Sequence, residues 1–198
     1  MSTTNDPVID ALGTEAGELP GTVRQKILDA VAADEQRMES AYHLAQMNTA
    51  RFRLPMDHPE MAGFVEMLDP INHQADAAPG FLWRLTDEGS NDATSITFYD
   101  DPLLLVNMSV WADLSSLRNY VYRTEHAAMV KRREEWADSL EASHIVLWWV
   151  PAGHRPSVRE GDAKLNALRA DGPTPGAFTF GRAFPPPDDP ADPDDSAA

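Results

Sequence analysis

Imidazole, guanidinium and phenol groups gather on one face of the segment that follows Leu103–Trp111. At 3.6 residues per turn, Asn119, Tyr122, His126, Met129, Val130 and Arg133 share a stripe, while Leu117, Val121, Thr124 and Ala128 form an ordinary core face. A surface helix would be plainly polar along the first stripe. Its mixture of Tyr, Met and Val with His and Arg calls for a cover, whether a pocket, a partner chain or another helix. Under a pocket, His126 is the natural general base or ligand, because only His has an unperturbed pKa near neutrality. Inside an interface it would be a structural, hydrogen-bonded imidazole. Arg133 ends the basic run Lys131-Arg132-Arg133, which suits a bound carboxylate or phosphate, or salt bridges to Glu134 and Glu135.

A second constellation is uncharged. Gln46 and Asn48 share one face of a predicted strand, Asn107 and Ser109 share one face of another, and Trp83 stands on a strand expected near by. Amides and hydroxyls on apolar strand faces fit a ligand cavity with a few polar anchors, or a buried structural network. Trp148 and Trp149 must point to opposite faces, so at most one lines such a cavity. Trp83, Trp111, Tyr120, Tyr122 and Trp149 are the candidate walls, and Asn48 and Asn107 the anchors.

Much chemistry is excluded. The chain has no Cys, so disulfides, thiolate metal sites and cysteine nucleophiles drop out. Its six His are scattered, and Asp69 with His73 is interrupted by Pro70 and lacks a third ligand, so no metal is expected. There is no GxGxxG after a strand, no GxxxxGK[ST] and no GxSxG elbow. With 16 Lys+Arg against 32 Asp+Glu, the net charge of −16 repels phosphate backbones and anionic membranes. The first thirty residues show neither a basic nor an apolar leader region, and no apolar run approaches the roughly 18 residues that span a bilayer. A soluble, cytoplasmic protein is expected.

The elements that must position these groups follow from periodicity and breakers. Residues 1–21 read as a flexible arm and 22–41 as an added amphipathic helix, over 22–38, with its linker. Strands are predicted over 42–52, 81–86, 103–111 and 143–150, with a short one over 94–99 and an edge strand over 177–184. Helices are predicted over 60–78, kinked or split at Pro70, from about 113 or 115 to 136–140, and over 158–170 between Ser157 and Gly172. The Pro- and Asp-rich stretch 185–198 is expected to be disordered. Strands alternating with two long helices make residues 42–184 one α+β domain on the ferredoxin-like plan, an antiparallel sheet with both helices on one face. Within it, a helix-strand extension over 158–184 follows the core. The other sheet face needs a cover, usually a second copy of the sheet, which gives a dimeric α/β barrel.

HLAQMN in the first strand, PGFLWRL in the second, LLLVNMSVW with the helix LRNYVYRTEHAAMVKRREEW, and LWWVPAGHRPSV together resemble a bacterial family of unassigned general function within the dimeric α/β-barrel superfamily. The resemblance covers roughly 42–184. It implies a homodimer and two activities: antibiotic-biosynthesis monooxygenases that use no cofactor, and haem-binding or haem-degrading proteins. The latter use an Asn of the first strand, a Trp in this helix and a haem-ligating His. Asn48 matches the Asn by element, Tyr120 stands in place of the Trp, and His126 would be the axial ligand. The expectation is an enzyme of specialised metabolism that oxidises or rearranges a small molecule without a nucleotide cofactor, with His126 and Asn48 catalytic and Arg133 among the substrate contacts. A haem-binding member is the alternative, and a non-catalytic ligand-binding or assembly protein the third reading.

Overall fold

The computed structural model describes residues 21–38, 40–87, 92–123, 132–138 and 143–187. The arm over 1–20, His126, Lys131 and the tail from 188 lie outside the described residues. The chain divides into two compact units, Met1–Glu39 and Ser40–Ala198. The first contains helix α1, Gly21–Met38, whose Val23 and Ile27 are exposed.

The second unit is α+β. Strand β1, Tyr42–Arg51, is followed by a 3-10 turn at Pro59–Met61, helix α2 (Ala62–Asp76) and strands β2 (Phe81–Arg84) and β3 (Leu104–Trp111). Helix α3 (Leu114–Arg123), a 3-10 turn at Arg133–Glu135, strand β4 (Ile145–Pro151) and helix α4 (Val158–Asp171) complete it. The four strands form an antiparallel sheet in the order β2-β3-β1-β4. Register follows the alternation of side chains: Gln46 faces Ser109 and Leu147 across the sheet, and Asn48 faces Asn107 and Ile145.

Each sheet face carries its own core, because strand residues alternate in direction. On one face Leu44, Trp111 and Leu147 pack with Ile71 and Ala75 of α2 and Leu117 and Tyr120 of α3. On the other, Ala45, Met47, Val106, Met108, Val110, Val146 and Trp148 lie beneath Leu165 and Leu168 of α4. Ser157 caps α4 by accepting from the Glu160 N–H at 3.2 Å. Trp148 Nε1 donates to Glu160 at 3.0 Å, and the Tyr99 hydroxyl donates to Asp162 at 2.6 Å. Gly161 lets α4 come close: a Cβ there would stand 2.5 Å from Met47 Sδ. Thus α4 occupies the sheet face that the sequence reserved for a second copy.

Several expectations are corrected. Pro70 does not split α2, which runs through it; it is exposed, and Ile71 and Ala75 on the buried side offset the lost hydrogen bond. Residues 94–99 form no strand, because Asp92 accepts from the Thr94 N–H and hydroxyl and bends the chain locally. The helix after β3 does not run through to Trp136: by Arg133 the chain is a 3-10 turn, and Ala137 bridges to Phe52 beside the end of β1. Residues 177–184 make one bridge to β4, Phe178 with Leu147, flanked by turns at Thr174–Ala177 and Thr179–Arg182 rather than a full strand.

Candidate functional site

Between the sheet and helices α2 and α3 lies a cavity of about 320 Å³, within the size range of small-molecule sites. Its floor is the middle of β1 and β3, where Gln46, Asn48, Asn107 and Ser109 are presented. Ile71 of α2 and Leu117 and Tyr120 of α3 form the roof, and Phe180 of the carboxy-terminal segment closes one side. One end is aromatic. Phe52 and Phe64 lie 4.7 Å apart and Phe64 and Trp136 5.8 Å apart, with tilted rings, as the ring quadrupoles favour.

The floor holds a hydrogen-bond chain that runs one way. Trp111 Nε1 donates to Ser109 Oγ at 2.9 Å, Ser109 donates to Gln46 Oε1 at 3.0 Å, and Gln46 Nε2 donates to Asn48 Oδ1 at 2.8 Å. Indole can only donate, which leaves the serine proton for Gln46 and sets the amide orientations. The chain ends on the Asn48 Nδ2 donors in the cavity, and successive bonds polarise one another towards that end. Trp111 is 1 % exposed and Ser109 and Gln46 8 %, so water reaches the chain only from the cavity side, where Gln46 lines the wall. Asn107, opposite Asn48, is exposed at the cavity surface.

Tyr120 stacks on Trp111 with ring centroids 5.1 Å apart and donates its hydroxyl to the Ile71 carbonyl at 3.2 Å. Burial pushes its phenol well above the ordinary tyrosine range, so it is a neutral wall and no base at neutral pH. Arg84 lines the cavity with its side chain 11 % exposed and donates twice to Asp76, at 2.8 and 3.1 Å. Arg133 lines the far end and donates from Nη1 to His144 Nε2 at 3.1 Å. Guanidinium cannot accept, so Nε2 of His144 is the acceptor in this contact.

The cavity thus brings together Asn48, Asn107, Trp111, Tyr120, Tyr122 and Arg133, with Tyr122 at the rim, 60 % exposed and edge-on to Phe180. Trp83 and Trp149 do not line it. Phe81 pairs with Trp111 but Trp83 pairs with Val110, so a bulge breaks the alternation and turns Trp83 to the α4 face. Trp149 is on the α2–α3 face but pairs with Leu44, beyond the polar floor, and donates to the Phe184 carbonyl at 2.9 Å. His126 lies outside the described residues. Sequence reasoning missed His144, Arg84, Phe64, Trp136 and Phe180. His144 reaches the cavity through the register that pairs Ile145 with Asn48, which the sequence does not display; Phe180 and Trp136 reach it through turns that periodicity does not register. Among the described residues no group of three or more His, Asp or Glu side chains is placed to hold a metal, and no helix is long and apolar enough to cross a membrane.

No curated protein matches the sequence. Among solved structures, the chain is similar to the NE2512 protein of unknown function from Nitrosomonas europaea, with 16 % identity and a TM-score of 0.38, over 59 % of this chain and 97 % of that one. The family described as a domain of unknown function, DUF3291, matches residues 43–194, and the chain belongs to that family.

Proposed function

We propose that this chain binds a small aromatic molecule of specialised metabolism in the cavity and oxidises it with dioxygen, without a nucleotide cofactor. The observation that carries the reading is the one-way chain from Trp111 to Asn48, which aims polarised N–H donors into an aromatic-walled space. Such donors stabilise an oxygen that gains negative charge. A substrate held there by its carbonyl loses a C–H proton more readily, and its enolate passes two electrons to dioxygen. A methylene becomes a carbonyl; one oxygen atom enters, and the other leaves with both hydrogens as water. His126 is the base proposed from the sequence, and His126→Ala should abolish turnover without loss of fold.

The β2-β3-β1-β4 order and the placing of α2 and α3 on one face support the ferredoxin-like assignment. A homodimer is part of the proposal, with the two copies pairing away from the face under α4; sedimentation equilibrium distinguishes it from a monomer. Haem is a poor fit to the described wall, because Nε2 of His144, the imidazole described there, is engaged by Arg133. A Soret band that grows to one equivalent on haem addition would reverse that assessment. Oxidation is tested with anthrone, whose conversion to anthraquinone consumes one dioxygen and releases one water. Wild type should turn it over, and Asn48→Asp, which still accepts from Gln46 but no longer donates, should be at least tenfold slower. Equal rates in the two proteins, or no rate above buffer across a panel of anthrones and hydroxynaphthalenes, would refute the oxidation.

A further inference from the structure

We infer that the ligand of this cavity is an anion, an aromatic carboxylate whose acid group sits on Arg133. The inference rests on the cavity being a ligand site, as proposed above, but not on oxidation. The wall contains two arginines, Arg84 and Arg133. Arg84 is already bidentate on Asp76. The neighbour of Arg133 in the chain, Arg132, is likewise bidentate on Glu135, at 2.8 and 2.9 Å, and lies 4.8 Å over the Trp136 ring. Arg133 differs. Its side chain meets Nε2 of His144 and no carboxylate among the described residues, in a chain with twice as many acidic as basic residues. The acids that also line the cavity are committed elsewhere: Asp138 accepts from Arg51 at 2.9 Å and Arg53 at 3.2 Å, and Asp92 from Thr94.

Position adds the second argument. The Thr49 N–H donates to the His144 carbonyl at 2.8 Å, and Ile145, the next residue, pairs with Asn48. The Arg133–His144 pair therefore stands at the Asn48 end of the floor, where the hydrogen-bond chain delivers its last donors. Guanidinium and amide N–H donors therefore gather at that end, beside the rings of Phe52, Phe64 and Trp136. The planar fork of a guanidinium matches a carboxylate in charge and spacing, and the rings suit an aromatic body.

The test titrates the full chain with 2-naphthoate, its neutral counterpart 2-naphthalenemethanol and 2-naphthyl phosphate, following tryptophan fluorescence. Naphthoate should bind at least tenfold more tightly than the alcohol. Arg133→Gln, which still donates to His144 from an exposed position, should erase that preference. Equal binding of acid and alcohol, a preference that survives Arg133→Gln, or tighter binding of the phosphate would each overturn the carboxylate assignment while leaving the cavity as a ligand site. Failure of all three probes would overturn the ligand site as well.

Discussion

Ser109→Ala is the sharpest probe of the cavity floor, because Ser109 is the middle link of a chain with two buried neighbours. Removing its hydroxyl orphans the N–H of Trp111, a residue 1 % exposed, and the carbonyl oxygen of Gln46, a residue 8 % exposed. An unsatisfied buried polar group costs about 1–3 kcal/mol. The Gln46 oxygen adjoins the cavity and recovers part of its loss from water, whereas the Trp111 N–H, beneath Tyr120 and edge-on to Phe81 at 5.3 Å, has no such recourse. Counting the indole in full and the amide in part gives a loss of roughly 2–3 kcal/mol, a large fraction of a typical stability of about 5–15 kcal/mol. Urea denaturation of wild type, Ser109→Ala and Ser109→Thr reads this as a shift in midpoint at unchanged slope. Threonine keeps the hydroxyl and should recover most of the loss. A Ser109→Ala loss below about 0.5 kcal/mol, the usual size of a surface change, would mean that the three groups are solvated and that no chain delivers polarised donors to Asn48.

Gly161→Ala tests the seat of α4 by the sign of its effect. On a free helix alanine gains about 1 kcal/mol over glycine, but here its Cβ would stand 2.5 Å from Met47 Sδ and 3.4 Å from Met108 Sδ, both residues fully buried. Overpacking costs about 1–3 kcal/mol, so a net loss is expected in urea melts, and a net gain would place α4 off the sheet. His43 gives the pH prediction: it is 7 % exposed, its Nε2 has no partner, and burial lowers its pKa below the ordinary value. Below about pH 6.5 the unfolded chain binds a proton that the folded one refuses, so stability is full above neutrality and falls as pH drops through that value towards the depressed folded pKa. The slope contributed cannot exceed about 1.4 kcal/mol per pH unit. His43→Leu should flatten the difference between urea midpoints at pH 7 and pH 5.5; an unchanged difference would mean that His43 is protonated equally in both states.

How far the sequence led depended on whether a feature was local. The three long strands were legible because β1, β3 and β4 sit where alternation or an apolar run is sustained and no breaker interrupts, and the amide cluster was legible because parity alone puts Gln46 with Asn48 and Asn107 with Ser109 on shared faces. Parity does not say how far along a strand the cavity extends. Trp149 has the right parity and still misses, since it pairs with Leu44 while the polar floor begins at Gln46. Trp83 fails by a different route: one extra residue in β2 reverses the face of everything after Phe81, and a bulge has no fixed signature in FLWRLT. The appended helix was read as an extension, yet it covers the sheet face that an ordinary two-layer fold leaves open. Its own sequence held the clue, because Gly161 interrupts a good helix former at the one place where α4 crosses Met47 of β1. Such a glycine costs about 1 kcal/mol of helix propensity, and the close approach it permits brings Leu165 and Leu168 onto the sheet, where each fully buried leucine contributes roughly 1.5–3 kcal/mol. That balance favours a sheet face covered within one chain. The cavity on the opposite face, with Asn48 and Arg133 at one end, is then built from a single chain's described elements, so its ligand binding should survive dilution below any dimer dissociation constant. Affinity for 2-naphthoate that fell with protein concentration would show instead that a second copy completes the site.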